Sequence, residues 1–234
     1  MAGSGSRTLS YSDLYKPFIK IAGRSILELS MLGLPLSRNS LTIVVNEKNK
    51  LDLLSALSEI EWIGDFDIKI VPVVESTSGQ AETALIGMRS VDSTSPVLVS
   101  NCDTFFSGGI PDMSDCDGYI GTFRSSSDLY SYAKVENGVV TETAEKVVIS
   151  NRATAGIYYF SSAALYEEAY LKHEWSGERY ISPMYNTIIK SGGTVKEFQL
   201  DTVVSLGTTS EIEKALTNDY FVESVKKSLT KVYR

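Results

Sequence analysis

Short apolar runs rich in β-branched residues alternate with helical periodicity along the chain. Leu41 to Val45 (LTIVV), Ile68 to Val74 (IKIVPVV), Val97 to Ser100 (VLVS) and Gly156 to Phe160 (GIYYF) have the pattern of buried strands. Between the earlier ones, apolar residues recur at helical spacing and predict helices over Ser25 to Leu34, Lys50 to Ile60 and Gln80 to Val91. Strands that are apolar on both faces and separated by helices predict an α/β fold, a Rossmann-like, mostly parallel mixed sheet flanked by helices. Tyr130 to Lys146 breaks the rhythm. There Asn137-Gly138, set between YAKVE and VVTETAE, predicts a hairpin with a type I′ turn. Helices follow around Ala163 to Lys172 and from about Arg179 to Lys190, then strands in TVKEFQL and VVSL, then a charged terminal helix from Ser210 onward. No repeat, low-complexity tract or linker intervenes, so a single domain over residues 1–234 is expected. A doubly wound sheet opens with a strand that leads into its first glycine-rich turn. Here the glycine-rich stretch begins at residue 2, so that first strand is expected to be missing or truncated.

Composition narrows the function. The chain carries 29 acids against 22 bases, a formal net charge of -7, so nucleic acid is not an expected partner. No apolar run approaches the ~18 residues of a membrane span, and no apolar stretch of a secretory signal follows MAGSGSR. Two cysteines, Cys102 and Cys116, are too few for a disulfide framework and fit reduced thiols in a cytoplasm. His173 is the one histidine, which argues against His-rich metal sites and Ser-His-Asp chemistry. Catalysis is therefore expected to rest on carboxylates, lysines and backbone amides.

Three elements carry candidate chemistry. Ala2-Gly3-Ser4-Gly5-Ser6-Arg7 sets two glycines beside a basic residue; successive amides make an anion nest and the guanidinium suits phosphate, although a Gly/Ser-rich terminus taken alone reads more often as a tail. Lys16-Pro17 holds a lysine beside a fixed backbone angle, where it could reach a polyphosphate, although such a lysine taken alone reads more often as a solvated surface residue. Asp103 follows the expected buried strand Val97 to Ser100, at the strand end where open α/β sheets bind ligands, and a hard Mg²⁺ ion wants such a carboxylate plus substrate phosphate oxygens; taken alone it reads equally as an aspartate that starts and caps a loop. Other conspicuous residues read as structure. Tyr158, Tyr159 and Phe160 are expected in the core, His173 at a helix end, and Cys102 as a buried filler. The basic final segment from Val222 reads as a solvated helix face.

Taken in order, MAGSGSR and KP, SGQAET at 78–83, NCD at 101–103, EK at 145–146, ATAGIYYF at 153–160 and SLGT at 205–208 resemble the sugar-phosphate nucleotidyltransferases, the nucleoside-diphosphate-sugar pyrophosphorylases of GT-A-like fold and their relatives acting on phosphocholine and other phosphates. The resemblance covers nearly the whole chain and implies that an NTP is joined to a phosphate monoester with release of pyrophosphate. It implies that Ala2, Gly3, Ser4, Gly5 and Ser6 cradle the NTP phosphates, with Arg7 and Lys16 on the triphosphate and the departing pyrophosphate. Gly79 and Gln80 match the stretch that contacts the nucleobase, and Asp103 matches the metal-binding aspartate for Mg²⁺. Glu145 and Lys146 match a pair that contacts the acceptor sugar and phosphate, Gly156 lies on the strand lining that pocket, and Glu178 opens a helix facing it. Many relatives place a second metal-binding aspartate just before the glycine of SLGT; Ser205-Leu206 stand there, and Asp201 is the candidate substitute. The resemblance favours CTP or UTP over the purines, a sugar 1-phosphate over phosphocholine or another small phosphate, and a cytoplasmic role in surface or capsule polysaccharide synthesis; it is compatible with an oligomer. Two other readings use the same residues. One is a glycosyltransferase consuming an NDP-sugar, for which Asn101-Cys102-Asp103 supplies only the second acid of an Asp-x-Asp pair; the other is a nucleotide-binding regulator without turnover.

Overall fold

The computed structural model describes residues 14–35, 40–64 and 66–232. A short hairpin, β1 (Lys20–Ile21) and β2 (Arg24–Ser25), leads into α1 (Ile26–Met31). Next come β3 (Leu41–Asn46), α2 (Lys50–Ser58), β4 (Ile68–Val73), α3 (Gln80–Met88), β5 (Val97–Ser100) and β6 (Thr104–Ser107). Strands β7 (Gly118–Arg124), β8 (Tyr132–Glu136), β9 (Val139–Ala144) and β10 (Arg152–Phe160) precede α4 (Ala163–Lys172) and α5 (Met184–Lys190). The chain closes with β11 (Val195–Gln199), β12 (Thr202–Ser205), α6 (Thr209–Leu216) and α7 (Asp219–Val232). It is a mixed α/β fold whose residues group into two compact units.

The first unit comprises Met1–Ser76, Asn101–Gly108 and Asp201–Arg234. Strands β3 and β4 pair in parallel from Leu41↔Ile68 to Asn46↔Val73, with α2 as the crossover that parallel pairing requires. β6 and β12 form an antiparallel ladder from Thr104↔Ser205 to Thr202↔Ser107. One core, including Ile21, Ile26, Leu29, Val45, Leu53, Phe105, Leu206, Ile212 and Phe221, holds these pieces together. Phe105 and Phe221 meet edge to face at 5.3 Å, which fixes α7 against β6. Glu28 is buried in this unit, where Arg24 and the indole N–H of Trp62 (3.1 Å) satisfy its carboxylate.

The second unit comprises Thr77–Ser100 and Gly109–Leu200. Its six strands run in the order β5-β10-β7-β11-β9-β8, and the pairing of Ala153 with Tyr132 brings β8 back onto β10, closing five of them into a ring. Helices α3, α4 and α5 cover a core that includes Ile120, Phe160, Tyr166 and Tyr185. The buried Tyr185 hydroxyl shares its one proton between the carbonyls of Tyr159 (2.8 Å) and Tyr119 (3.1 Å), so its one polar atom is satisfied inside the core.

The expected mostly parallel sheet is corrected by the pairing. Among the described strands only β3–β4 and β7–β11 run parallel. From β7 to β10 short connections replace helical crossovers, and a tight hairpin turn can join only antiparallel neighbours. The Asn137-Gly138 turn is one of these, both residues having positive φ (52° and 80°) as a type I′ turn demands. The expected helix from Arg179 begins instead at Met184: Pro183 biases the residue before it away from helical angles. The terminal helix is two helices, separated at Asn218, whose side-chain oxygen caps the second by accepting from the N–H of Phe221 at 3.2 Å.

Candidate active site

In the first unit, residues 87 positions apart meet. The Lys16 ammonium lies 2.5 Å from Asp103 Oδ2, and the two side chains are only 12% and 23% exposed. Lys16 begins a single 3-10 turn, Lys16–Phe18, in which Pro17 presets the backbone. Phe18 and Ile19 are buried beneath it, which anchors the lysine's stem to the core. Asp103 is held from the other side, where its carbonyl accepts from the N–H of Leu206 at 2.7 Å, one step beyond the Thr104↔Ser205 pair.

Gly207 follows directly. A Cβ placed there would stand 3.2 Å from Asp103 Oδ2, 3.4 Å from Glu211 Oε2 and 3.7 Å from Ser205 Oγ, so glycine leaves open a space lined by two carboxylates and a hydroxyl. Hard oxygen donors of this kind are what Mg²⁺ takes. Among the described residues no group of three or more His, Cys, Asp and Glu gathers as a metal site, so an ion here would draw its remaining ligands from hydroxyl, water or phosphate oxygens. Asp201 is not part of this group. It precedes Thr202, which pairs with Ser107 at the far end of the β6–β12 ladder from Thr104, a separation of about 3.3 Å per residue along the strand. Cys102 is half-buried rather than buried as expected, and desolvation raises its thiol pKa, which removes a ready thiolate.

In the second unit, Gly79 caps the start of α3 with φ 148° and ψ -173°. The segment around it pairs with 179–181: Arg179 N–H donates to Ser78 (3.0 Å), Ala81 N–H donates to Arg179 (2.8 Å), and Ile181 N–H donates to Gln80 Oε1 (3.4 Å). Gln80 therefore spends its carbonyl oxygen on the backbone. The Arg179 guanidinium hydrogen-bonds the Tyr170 hydroxyl and lies over the rings of Tyr170 and Trp175 at 5.5 and 5.6 Å.

Beyond this pairing, Lys146 Nζ donates to the Tyr180 hydroxyl at 2.9 Å, and that hydroxyl donates to Glu178. Lys146, Tyr180 and Glu178 thus form one chain of polar groups, with the Tyr180 hydrogen bond raising the lysine's pKa. Lys146 holds its exposed ammonium there from a left-handed backbone (φ 54°). Glu145 turns the other way and accepts from the Ser131 hydroxyl. Gly156 has φ 74° in the middle of β10, where the register against β7 shifts between Thr154 and Tyr158. Tyr158, Tyr159 and Phe160 beside it are buried, as expected of core residues. His173 sits at the end of α4, with Nδ1 3.1 Å from Thr187 Oγ1 and its ring against Trp175.

Burial is the largest influence on Glu145 and raises its pKa; the Ser131 hydrogen bond opposes it. A carboxyl whose folded pKa is raised stabilises the fold while protonated, and that contribution is lost as pH rises through the folded value. Glu145→Gln is therefore expected to melt above the wild type at pH 8, with the gap closing as pH falls toward the ordinary glutamate value of 4.5. Melting curves across that range check it; a gap that stays constant with pH would remove the burial argument.

Ala2, Gly3, Ser4, Gly5, Ser6 and Arg7 lie outside the described residues. Ser131 and Glu211 were not anticipated from sequence. The Thr208-x-x-Glu211 spacing of a capping box was the available signal for the second.

No protein-family model and no curated protein matches the sequence. Solved structures do. A nucleoside-diphosphate-sugar pyrophosphorylase from Vibrio cholerae RC9 superposes with a TM-score of 0.83 and 27% identity, covering 93% of this chain and 98% of that one. A protein assigned as a glucose-1-phosphate thymidylyltransferase from Bacillus anthracis gives 0.74 at 17% identity, over 92% of this chain and 90% of its own. The inositol-1-phosphate CTP transferase from T. maritima gives 0.73 at 17%, over 97% and 93%. In fold the chain is thus similar to three proteins that are all sugar-phosphate nucleotidyltransferases.

Proposed function

We propose that this chain acts as one nucleotidyltransferase domain, joining an NTP to a small phosphate monoester and releasing pyrophosphate. The observation that carries the reading is the Lys16–Asp103 contact, a cation and a carboxylate from distant parts of the chain held together beside a space lined with oxygen donors. In the reaction a monoester oxygen attacks the α-phosphorus, the bond from that phosphorus to the α,β-bridging oxygen breaks, and pyrophosphate departs with the electron pair. The protein's share is positioning and charge stabilisation.

Lys16 and Arg7 donate to the triphosphate and to the pyrophosphate that leaves, and the amides of residues 2–6 cradle the phosphates. Gly79 and Gln80 set the edge that meets the nucleobase. Lys146 takes the acceptor phosphate while Glu145, Gly156 and Glu178 fix the rest of the acceptor. Asp103 fits Mg²⁺ as a ligand, and the bound ion would neutralise phosphate charge. CTP or UTP with a sugar 1-phosphate is the favoured pair, in the cytoplasm, on a route to a surface polysaccharide. No helix among the described residues is long and apolar enough to cross a membrane.

The test is pyrophosphate release measured over the four NTPs and a panel of phosphate monoesters. Turnover is expected with a pyrimidine nucleotide and a sugar 1-phosphate. Absence of turnover with every pair, in a folded preparation, overturns the proposal. Consumption of an NDP-sugar with release of a nucleoside diphosphate would instead identify a glycosyltransferase.

A further inference from the structure

We infer that Glu211 is the second carboxylate of the divalent-cation site, working with Asp103 from the first turn of α6. This rests on the nucleotidyltransferase reading and specifies which residues complete its metal site. The late turn has a hydroxyl, Ser205, and no acid immediately before Gly207. Asp201, the nearest acid upstream, sits at the wrong end of the β6–β12 ladder. Glu211 approaches from the downstream side, and its Oε2 faces the same point beside Gly207 as Asp103 Oδ2, at 3.4 and 3.2 Å.

The path of the chain explains the placement. Thr208 is the N-cap of α6 and accepts from the N–H of Glu211 at 3.3 Å, while its hydroxyl donates to Glu211 Oε2 at 2.9 Å. A glutamate at this third helical position folds back over the helix start, as in a capping box. Because Gly207 immediately precedes the cap, folding back carries the carboxylate to the Asp103 side of the turn. A methyl group at position 207 would occupy the space that both acids face.

The charges favour a cation there. Lys16 engages Asp103 Oδ2, and Glu211 Oε2 reaches the same space beside Gly207, so among the described residues that space meets two carboxylates while Lys16 pairs with one of them. A divalent ion drawn to both acids would free Lys16 for phosphate. Two carboxylates and one hydroxyl make a donor set of the size that Mg²⁺ uses when substrate phosphates supply the rest.

The capping role and the ligand role of Glu211 can be separated. Glutamine serves in a capping box as well as glutamate but carries no charge. We would titrate Mn²⁺ into the full chain and read free and bound ion by electron paramagnetic resonance, with thermal melts alongside. Glu211→Gln is expected to weaken Mn²⁺ binding at least ~10-fold, the scale seen when a metal site loses a supporting group, with an unchanged melting temperature. Gly207→Ala is expected to weaken it similarly by filling the space.

Wild-type Mn²⁺ affinity in Glu211→Gln, with binding lost in Asp103→Asn, would overturn the assignment of Glu211 and leave the proposed function standing. Failure of the wild type to bind Mn²⁺ even with an NTP analogue present would overturn both. Weakened binding in Glu211→Gln with no pyrophosphate release by the wild type would keep the cation site and remove the nucleotidyltransferase reading.

Discussion

Asp103→Asn is expected to lower turnover at least ~10²-fold, the scale of losing one major electrostatic stabiliser from a site in which positioning and charge do most of the work. The substitution preserves shape and removes only the negative charge. Two consequences compound. The oxygen donor for a divalent cation becomes a neutral amide, a poorer ligand for a hard ion. Lys16, whose side chain is 12% exposed and 2.5 Å from Asp103, also loses the counter-charge beside it, which changes the charge balance of the pair. Initial rates at saturating NTP and acceptor measure the effect, and a circular-dichroism melt checks folding. Near-normal rates from a folded variant would remove Asp103 from the chemistry. Lys16→Met should differ in kind, because the carboxylate would remain for the metal while the phosphates lose a donor; its deficit is expected to appear in the KM for NTP as well as in kcat.

The contrast between those residues and the rest of the site shows what the amino-acid pattern carries. Several elements are legible from hydrophobic periodicity: β3, β4, β5, α2 and α4 lie where it predicts them, although β4 and β5 hold half-buried and exposed residues rather than buried ones. β7 was not legible. Its Gly118 and Gly121 dilute the strand pattern, yet a Cβ at the first would meet the Tyr185 ring at 2.6 Å and at the second the Phe198 ring at 3.1 Å. The same close packing that requires glycine hides the strand from hydrophobic periodicity.

Strand direction was illegible for a different reason. β10 pairs antiparallel with β5, β7 and β8, and those partners are chosen by distant contacts that no local window contains. Within the site, Lys16 and Asp103 could be nominated because each sits in a distinctive local motif, and the fold brings them together. Glu211 could not. Thr208-x-x-Glu211 reads locally as a helix cap, and its approach to Asp103 exists only because β12 pairs with β6 and turns at Gly207. Ser131 likewise reaches Glu145 across the β8–β9 pair, a contact set by register.

Gly79→Ala is expected to be strongly destabilising. At φ 148° and ψ -173° the backbone occupies a region essentially reserved for glycine, where a side chain costs about 1–3 kcal/mol in strain. Space is the second obstacle. The new Cβ would lie 2.6 Å from both the backbone nitrogen and the backbone oxygen of Arg179, and backbone cannot swing aside as a flexible side chain can. Those two atoms already make the hydrogen bonds to Ser78 and from Ala81 that hold the two segments together. Relieving the overlap breaks at least one of them and adds an overpacking cost of about 1–3 kcal/mol. The combined loss of about 2–5 kcal/mol should lower the melting temperature by roughly 10 °C in a chain of this size.

Function should suffer in a recognisable way. If 79–80 meets the nucleobase, as proposed, displacement of Arg179 and of the start of α3 raises the KM for NTP more than it lowers kcat. Gly109→Ala is the matched control, because nothing lies within 4 Å of its added Cβ and its φ is not in the left-handed range. It should melt within about 0.5 kcal/mol of the wild type, as surface changes usually do. A Gly79→Ala variant that melts alongside that control would mean the 78–81 and 179–181 segments do not approach as described, and the base-contact role of Gly79 would lose its structural ground.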